Sequence, residues 1–173
     1  MEFLVNYKSV INNQWNEVLE KLRKNKKSVG WTYDVKGIIV PLFLIMLVDV
    51  NRITPLMKDI LKGIMRRLDY SMQLDDMELT EYYKLWRNSV DFTKEEHSEL
   101  YNWCKNEVTN RVREIVSNKY RNAYLRAAEA SQLLSEVAFC TGKTNSKDEI
   151  ALMHKAEFTR HRSFRAEYDN LPK

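Results

Sequence analysis

Residues 93–142 read TKEEHSELYNWCKNEVTNRVREIVSNKYRNAYLRAAEASQLLSEVAFCTG, and this stretch decides the fold class. Thr93 is a helix-capping residue followed three positions later by Glu96, a pair that can satisfy the orphan N–H groups of a helix start reciprocally. Gly142 follows the run ending at Cys140-Thr141 and suits the left-handed position just past a helix end. No glycine or proline lies between the two signals. The stretch therefore predicts helix 5 from Lys94 to about Ser117 and helix 6 over about Lys119–Cys140, or one long rod if the soft break at Ser117-Asn118 is absent.

The same punctuation extends outward in both directions. Thr54-Pro55 sets a capping hydroxyl before a proline whose missing N–H costs nothing at the first helical position. Asp75 with Glu78 and Ser146 with Glu149 repeat the cap-then-carboxylate spacing. Helix 1 is expected from about Phe3 to Lys26, with Val10, Trp15, Val18, Leu19 and Leu22 as its apolar stripe. Helix 2 is expected over about Pro41–Asn51. Residues 37–40 stay open between a short strand and an earlier helix start near Val35, because Pro41 blocks a firm decision. Helix 3 runs over Pro55–Gln73, with Leu56, Ile60, Ile64, Met65 and Leu68 inward, helix 4 over about Asp76–Asn88, and helix 7 over Lys147–Tyr168. Short connections make helices 3–4 and 6–7 antiparallel neighbours. The expectation is a single all-α domain over residues 1–173, with six to seven helices in antiparallel hairpins, as a compact bundle or a short helical-repeat array.

Composition agrees. Four glycines and three prolines in 173 residues exclude a sandwich or barrel of many short strands, a Gly-rich linker array and a collagen-like chain. A hydrophobic content of 44% beside 30% charged residues is that of a globular chain rather than a disordered one. Residues 37–48, GIIVPLFLIMLV, carry no charge, yet twelve residues fall short of the about 18 a spanning helix needs. They read as an element surrounded by the rest of the core, and no membrane partner is expected. Cys104 and Cys140 have no nearby partner in a CxxC spacing and read as small buried hydrophobes of a reducing compartment. The N-terminal residues lack a basic segment followed by a long apolar one, so a cytoplasmic protein is expected.

Near the C-terminus, Tyr120, Tyr124, Ala127-Ala128, Leu133-Leu134, Val137 and Gly142 are followed by His154, Phe158, Arg160-His161-Arg162, Phe164 and Glu167. The series Y-x3-Y-x2-AA-x4-LL-x2-V, a glycine, and a second helix with RHRSF resembles the last helical pair of tetratricopeptide-like bacterial repeat proteins. The resemblance spans about residues 120–168 and rests on packing positions. It implies a helical-repeat end with an interaction role and carries over no catalytic residue. Arg121-Asn122 also begins like the RN-x3-H motif of the small all-helical HEPN RNases. The sixth position here is Arg126, which cannot exchange protons as an imidazole does, so the nuclease motif is broken.

Charge is unevenly spread within a net +4. Residues 1–74 hold 12 basic and 7 acidic side chains, residues 75–100 hold 3 and 8, and residues 101–173 hold 13 and 9. Several acids of the middle segment occupy first turns of helices 4 and 5, where the helix dipole explains them. Lys21, Arg23, Lys24, Lys26 and Lys27 close helix 1, where that dipole favours cations. Arg111, Arg113, Arg121, Arg126, Arg160, Arg162 and Arg165 are the candidate nucleic-acid contacts, since phosphates need such groups and aromatics interleave with them. Their bland alternative is a solvated helix face. His154, Glu157 and His161, at spacings of 3, 4 and 7, share one face of helix 7 and could hold Zn²⁺ or Fe²⁺. The arginines and lysine around them oppose a divalent cation, so no metal and no cofactor are expected. Tyr82, Tyr83 and Trp86 lie within one turn of helix 4, beside Leu79 and Leu85. So many large groups cover most of a short helix, which makes the three a candidate anchor for a protein partner. The functional expectation is a non-enzymatic protein–protein interaction or adaptor module, as a homo-oligomer or a subunit of a larger assembly. The rival is a nucleic-acid-binding accessory protein that uses the basic faces of helices 5–7.

Overall fold

The computed structural model describes residues 9–24, 35–68 and 75–172. It is all-α: α1 (Trp15–Lys24), α2 (Val35–Met46), a 3-10 turn (Val50–Arg52), α3 (Pro55–Leu68), α4 (Asp76–Asn88), α5 (Lys94–Ser117), a 3-10 turn (Arg121–Ala123), α6 (Tyr124–Cys140), α7 (Glu149–Glu157), α8 (Arg162–Glu167) and a final 3-10 turn (Tyr168–Asn170). With the helical residues 9–11, the described residues hold nine α-helical segments against the expected six to seven. The expected start of helix 1 at Phe3, its end at Lys26, the cation Lys27 and the expected end of helix 3 at Gln73 lie outside the described residues.

Two of the extra helices come from breaks that periodicity explains. Val10 and Trp15 are both buried, but five residues at 100° each would set them about 140° apart on one helix. The chain turns at Asn13, whose φ is +62°. Its N–H bonds the Val10 carbonyl at 3.1 Å and the Gln14 N–H bonds the Ser9 carbonyl at 2.7 Å, the pairing of a Schellman cap. Phe158 and Phe164 likewise lie six positions apart, about 240° on one helix, yet both are buried. Helix 7 therefore splits into α7 and α8 at Phe158–His161, and the two rings meet edge-on at 5.9 Å.

The break between helices 5 and 6 is real. Lys119 sits at φ +58°, its N–H on the Val116 carbonyl at 3.1 Å and the Tyr120 N–H on the Ile115 carbonyl at 3.0 Å. Gly142, at φ +71°, closes α6 with the same pairing to Phe139 and Ala138. Asparagine, lysine and glycine thus hold one backbone conformation at three helix ends, and a lysine there is strained by about 1–2 kcal/mol. Lys119→Gly is expected to stabilise the fold by about 0.5 kcal/mol once glycine's extra chain entropy is offset, and Gly142→Ala to destabilise it by about 1 kcal/mol. Urea denaturation midpoints of the two variants check the opposite signs.

Helix starts mostly follow the sequence signals. Asp75 accepts from the Met77 and Glu78 amides at 2.8 and 2.9 Å while the Glu78 carboxylate takes the Asp75 N–H. Thr93 and Glu96 make the same reciprocal pair, and the Thr54 hydroxyl accepts from the Met57 amide at 3.3 Å. Ser146 and Glu149 do not form a capping box. Helix α7 starts at Glu149 without a side-chain cap of its own. Its Ile150 and Ala151 amides instead donate to the Ser135 hydroxyl of α6 at 3.0 and 3.4 Å. A cap supplied by another helix leaves no local sequence signal.

Helix 2 begins at Val35 and ends at Met46, so residues 37–40 are helix rather than strand, and the expected span Pro41–Asn51 is shifted. Pro41 sits inside it and brings no N–H to the Gly37 carbonyl one turn earlier. The segment from Leu42 to Val48 is buried throughout, because α3, α5 and α6 all pack on α2. Its one buried charge, Lys36, meets the Glu107 carboxylate of α5 at 3.0 Å. Helix α6 is the second central element, touching α2, α5, α7 and α8, with residues 130–138 all buried. Its polar residues are satisfied across helices: Glu136 accepts from the Thr54 hydroxyl and Gln132 donates to Asp148 at 2.8 Å. Cys104 and Cys140 are buried free thiols. Among the described residues no helix is long and apolar enough to cross a membrane.

Candidate functional site

The α4 anchor expected for a protein partner resolves into core. Leu79, Tyr83 and Trp86 repeat at helical spacing and are buried, Tyr83 completely. The Tyr83 hydroxyl lies 2.8 Å from the Ile45 carbonyl and 2.6 Å from the Val48 carbonyl. Tyr82 is half-buried and lines, with both neighbours, an internal apolar space shared with Leu42 and Leu61. The side chains sent outward are Met77 and Leu85, 79% and 73% exposed.

The three metal-like side chains go to separate partners. His154 is buried with Nδ1 2.7 Å from the Ser131 hydroxyl, the Glu157 carboxylate takes Arg113, and His161 Nδ1 lies 3.4 Å from the Tyr124 hydroxyl. The break at Phe158 removes the seven-residue register that would have aligned His154 with His161. Among the described residues no group of three or more histidine, cysteine or carboxylate side chains could hold a metal ion. Burial lowers the pKa of His154, with the Arg113 charge adding to it and Glu157 opposing. Burial likewise lowers that of His97, where Lys143 and Arg87 add to it and the Leu47 carbonyl and Asp49 oppose. The folded chain therefore resists protons that the unfolded chain accepts near pH 6.5. Stability contributed by the neutral rings is present above about pH 6.5 and is lost as pH falls from there toward their lowered values. Urea midpoints should drop between about pH 7 and 5, and drop less in His154→Gln.

The candidate arginines divide into two groups. Arg113, Arg121, Arg160, Arg162 and Arg165 belong to one end of the molecule, where α5 ends, α6 begins and α7 turns into α8. Packing of aromatic rings builds this end: Phe164 meets Tyr124 at 5.8 Å, Phe158 at 5.9 Å and Tyr168 at 5.4 Å, all edge-on. The rings turn inward and the intervening arginines turn outward, so Arg121, Arg160, Arg162 and Arg165 are exposed. Arg113 is bound in two places to Glu157, at 2.7 and 3.2 Å, which ties α5 to the end of α7. Among the described residues Arg121, Arg160, Arg162 and Arg165 make no ion pair, and Arg165 donates only to the Thr159 carbonyl at 3.4 Å. Tyr120, beside Arg121, is 53% exposed.

Arg111 and Arg126 face elsewhere. With Arg67 of α3 they line a cavity between α2, α3, α5 and α6 that also holds Asp59 and Glu129. Arg67 escaped the sequence reading, although Asp59, Gly63 and Arg67 stand four residues apart and so share one stripe of α3. That stripe was the signal. No protein-family model, curated protein or solved structure matches this chain.

Proposed function

We propose that this is a non-enzymatic accessory protein that binds nucleic acid through the arginine-bearing end formed by α5, α6, α7 and α8. The observation that carries the reading is the set Arg121, Arg160, Arg162 and Arg165, exposed and, among the described residues, without carboxylate partners on a surface fixed by inward-packed rings. Guanidinium groups held by a rigid base keep their donors free for phosphate oxygens, and exposed Tyr120 offers one face for base stacking. Roughly four phosphate contacts imply a log–log salt slope of about −3 to −4, so affinity falls about 100-fold between about 50 and 200 mM salt. Titration of labelled single- and double-stranded DNA and RNA at both salts tests this. Absence of binding at the lower salt would overturn it.

A protein-partner reading is favoured by a separate observation, the outward Met77 and Leu85 on α4. Their spacing of two helical turns sets an apolar pair on the face opposite Tyr83. In that reading the contact residues are Met77 and Leu85 in place of Tyr82, Tyr83 and Trp86.

A further inference from the structure

The cavity between α2, α3, α5 and α6 has a volume of about 170 Å³, below the 300–1,000 Å³ typical of drug-sized ligands. Ile60, Ile64, Ile115 and Leu133 supply an apolar floor. Arg67, Arg111, Arg126, Asp59 and Glu129 supply charge from three helices. Among the described residues no ion pair within 4.0 Å joins any of these arginines to either carboxylate. Among the described residues Arg111 pairs only with Glu114, outside the cavity, at 3.3 Å through one Nη, and its buried Nε has no hydrogen-bond partner. Burial and the nearby Asp59 raise the pKa of Glu129, against the pull of Arg126 and Arg67. The wall is also held open: a Cβ built on Gly63 would meet nothing within 4 Å.

Arg111, Arg126 and Glu129 are half-buried and Arg67 and Asp59 exposed, and opposite charges that line one space without closing on each other leave donors and acceptors facing that space. Three guanidiniums against two carboxylates favour a negative ligand, and the isoleucine floor favours one with an apolar body. We infer that this cavity is a binding site for a small organic anion, a carboxylate or phosphate carried on an apolar ring or short chain. The anionic group bonds Arg67, Arg111 and Arg126, and the body lies on Ile60, Ile64 and Ile115. The site stands apart from the nucleic-acid reading, since it uses none of the four exposed arginines.

Isothermal titration of the full chain with benzoate, phenyl phosphate, inorganic phosphate and benzyl alcohol tests the inference. Benzoate or phenyl phosphate should bind one per chain with a Kd of about 1 mM or tighter, within the range such small ligands reach. Inorganic phosphate and benzyl alcohol, each lacking half of the recognised chemistry, should bind at least about tenfold more weakly. The ranking of benzoate against phenyl phosphate identifies which anion the arginines suit. Arg67→Gln, on an exposed side chain, should weaken binding at least about tenfold, and Gly63→Leu should abolish it by filling the space. Unchanged melting curves show that both variants keep the fold, and Arg160→Gln should leave binding as it is. The inference is overturned if neither organic anion binds, if benzyl alcohol binds as tightly as benzoate, or if Gly63→Leu binds like the parent.

Discussion

Tyr83→Ala is expected to bring the protein close to unfolding at room temperature. Removing a completely buried aromatic ring costs about 3–5 kcal/mol, and a lost hydrogen bond to buried carbonyls adds about 1–3 kcal/mol. Whole domains are stable by only about 5–15 kcal/mol. The ring packs edge-on against Trp86 at 5.9 Å, and the hydroxyl serves carbonyls at the end of α2. There the Leu47 and Val48 amides have already tightened onto Leu44 and Ile45, at 3.2 and 2.9 Å. Tyr83 is thus a core residue of α4 and a cap for α2. Tyr83→Phe separates the roles, keeping the ring and losing only the hydroxyl, at about 1–3 kcal/mol. Urea denaturation followed by circular dichroism distinguishes these outcomes. An alanine variant as stable as the parent would contradict the placement of Tyr83 as a central packing residue.

Arg160→Glu combined with Arg162→Glu should nearly eliminate nucleic-acid binding while leaving the fold intact. Each lost phosphate contact lowers the salt slope by about 1, and each reversal adds a repulsion to the phosphate backbone. From roughly four contacts, the double variant retains two arginines facing two new carboxylates. Affinity at about 50 mM salt should fall by about 100-fold or more. Both side chains are exposed, so the melting temperature should stay within a few degrees, as for surface changes of about 0.5 kcal/mol. Equal binding by parent and double variant, measured by fluorescence anisotropy, would remove this end of the molecule from the interface.

The helical class and three helix starts were legible in the sequence, because Thr54, Asp75 and Thr93 act within a turn of their own positions, as Gly142 does at a helix end. It hid what depends on distant partners. The α7 cap comes from Ser135, and the breaks at Asn13 and Phe158 follow from where Val10, Trp15, Phe158 and Phe164 must all point. The Asn12-Asn13 pair was a readable stop signal, since asparagine tolerates the left-handed conformation. Charged side chains were harder still. A count of arginines along the chain groups Arg111 with Arg113, while the helix sends one to a cavity and the other to Glu157. Arg67 reaches that cavity from a helix some forty residues earlier; its stripe with Asp59 and Gly63 is local, but the helices it meets there are not.

The apolar stretch that ends α2 and runs on to Val48 has a consequence during synthesis. Leu42–Val48 is seven residues without charge, glycine or proline, the composition and length that stack into cross-β aggregates. In the finished fold α5 and α6 cover it, but α6 is complete only at Cys140, about 90 residues later. At about 5–20 residues per second, the nascent segment waits roughly 5 to 20 s before its covering helices exist. For that interval the segment lacks the surfaces that bury it in the fold, and recovery of native protein from denaturant is expected to fall as concentration rises.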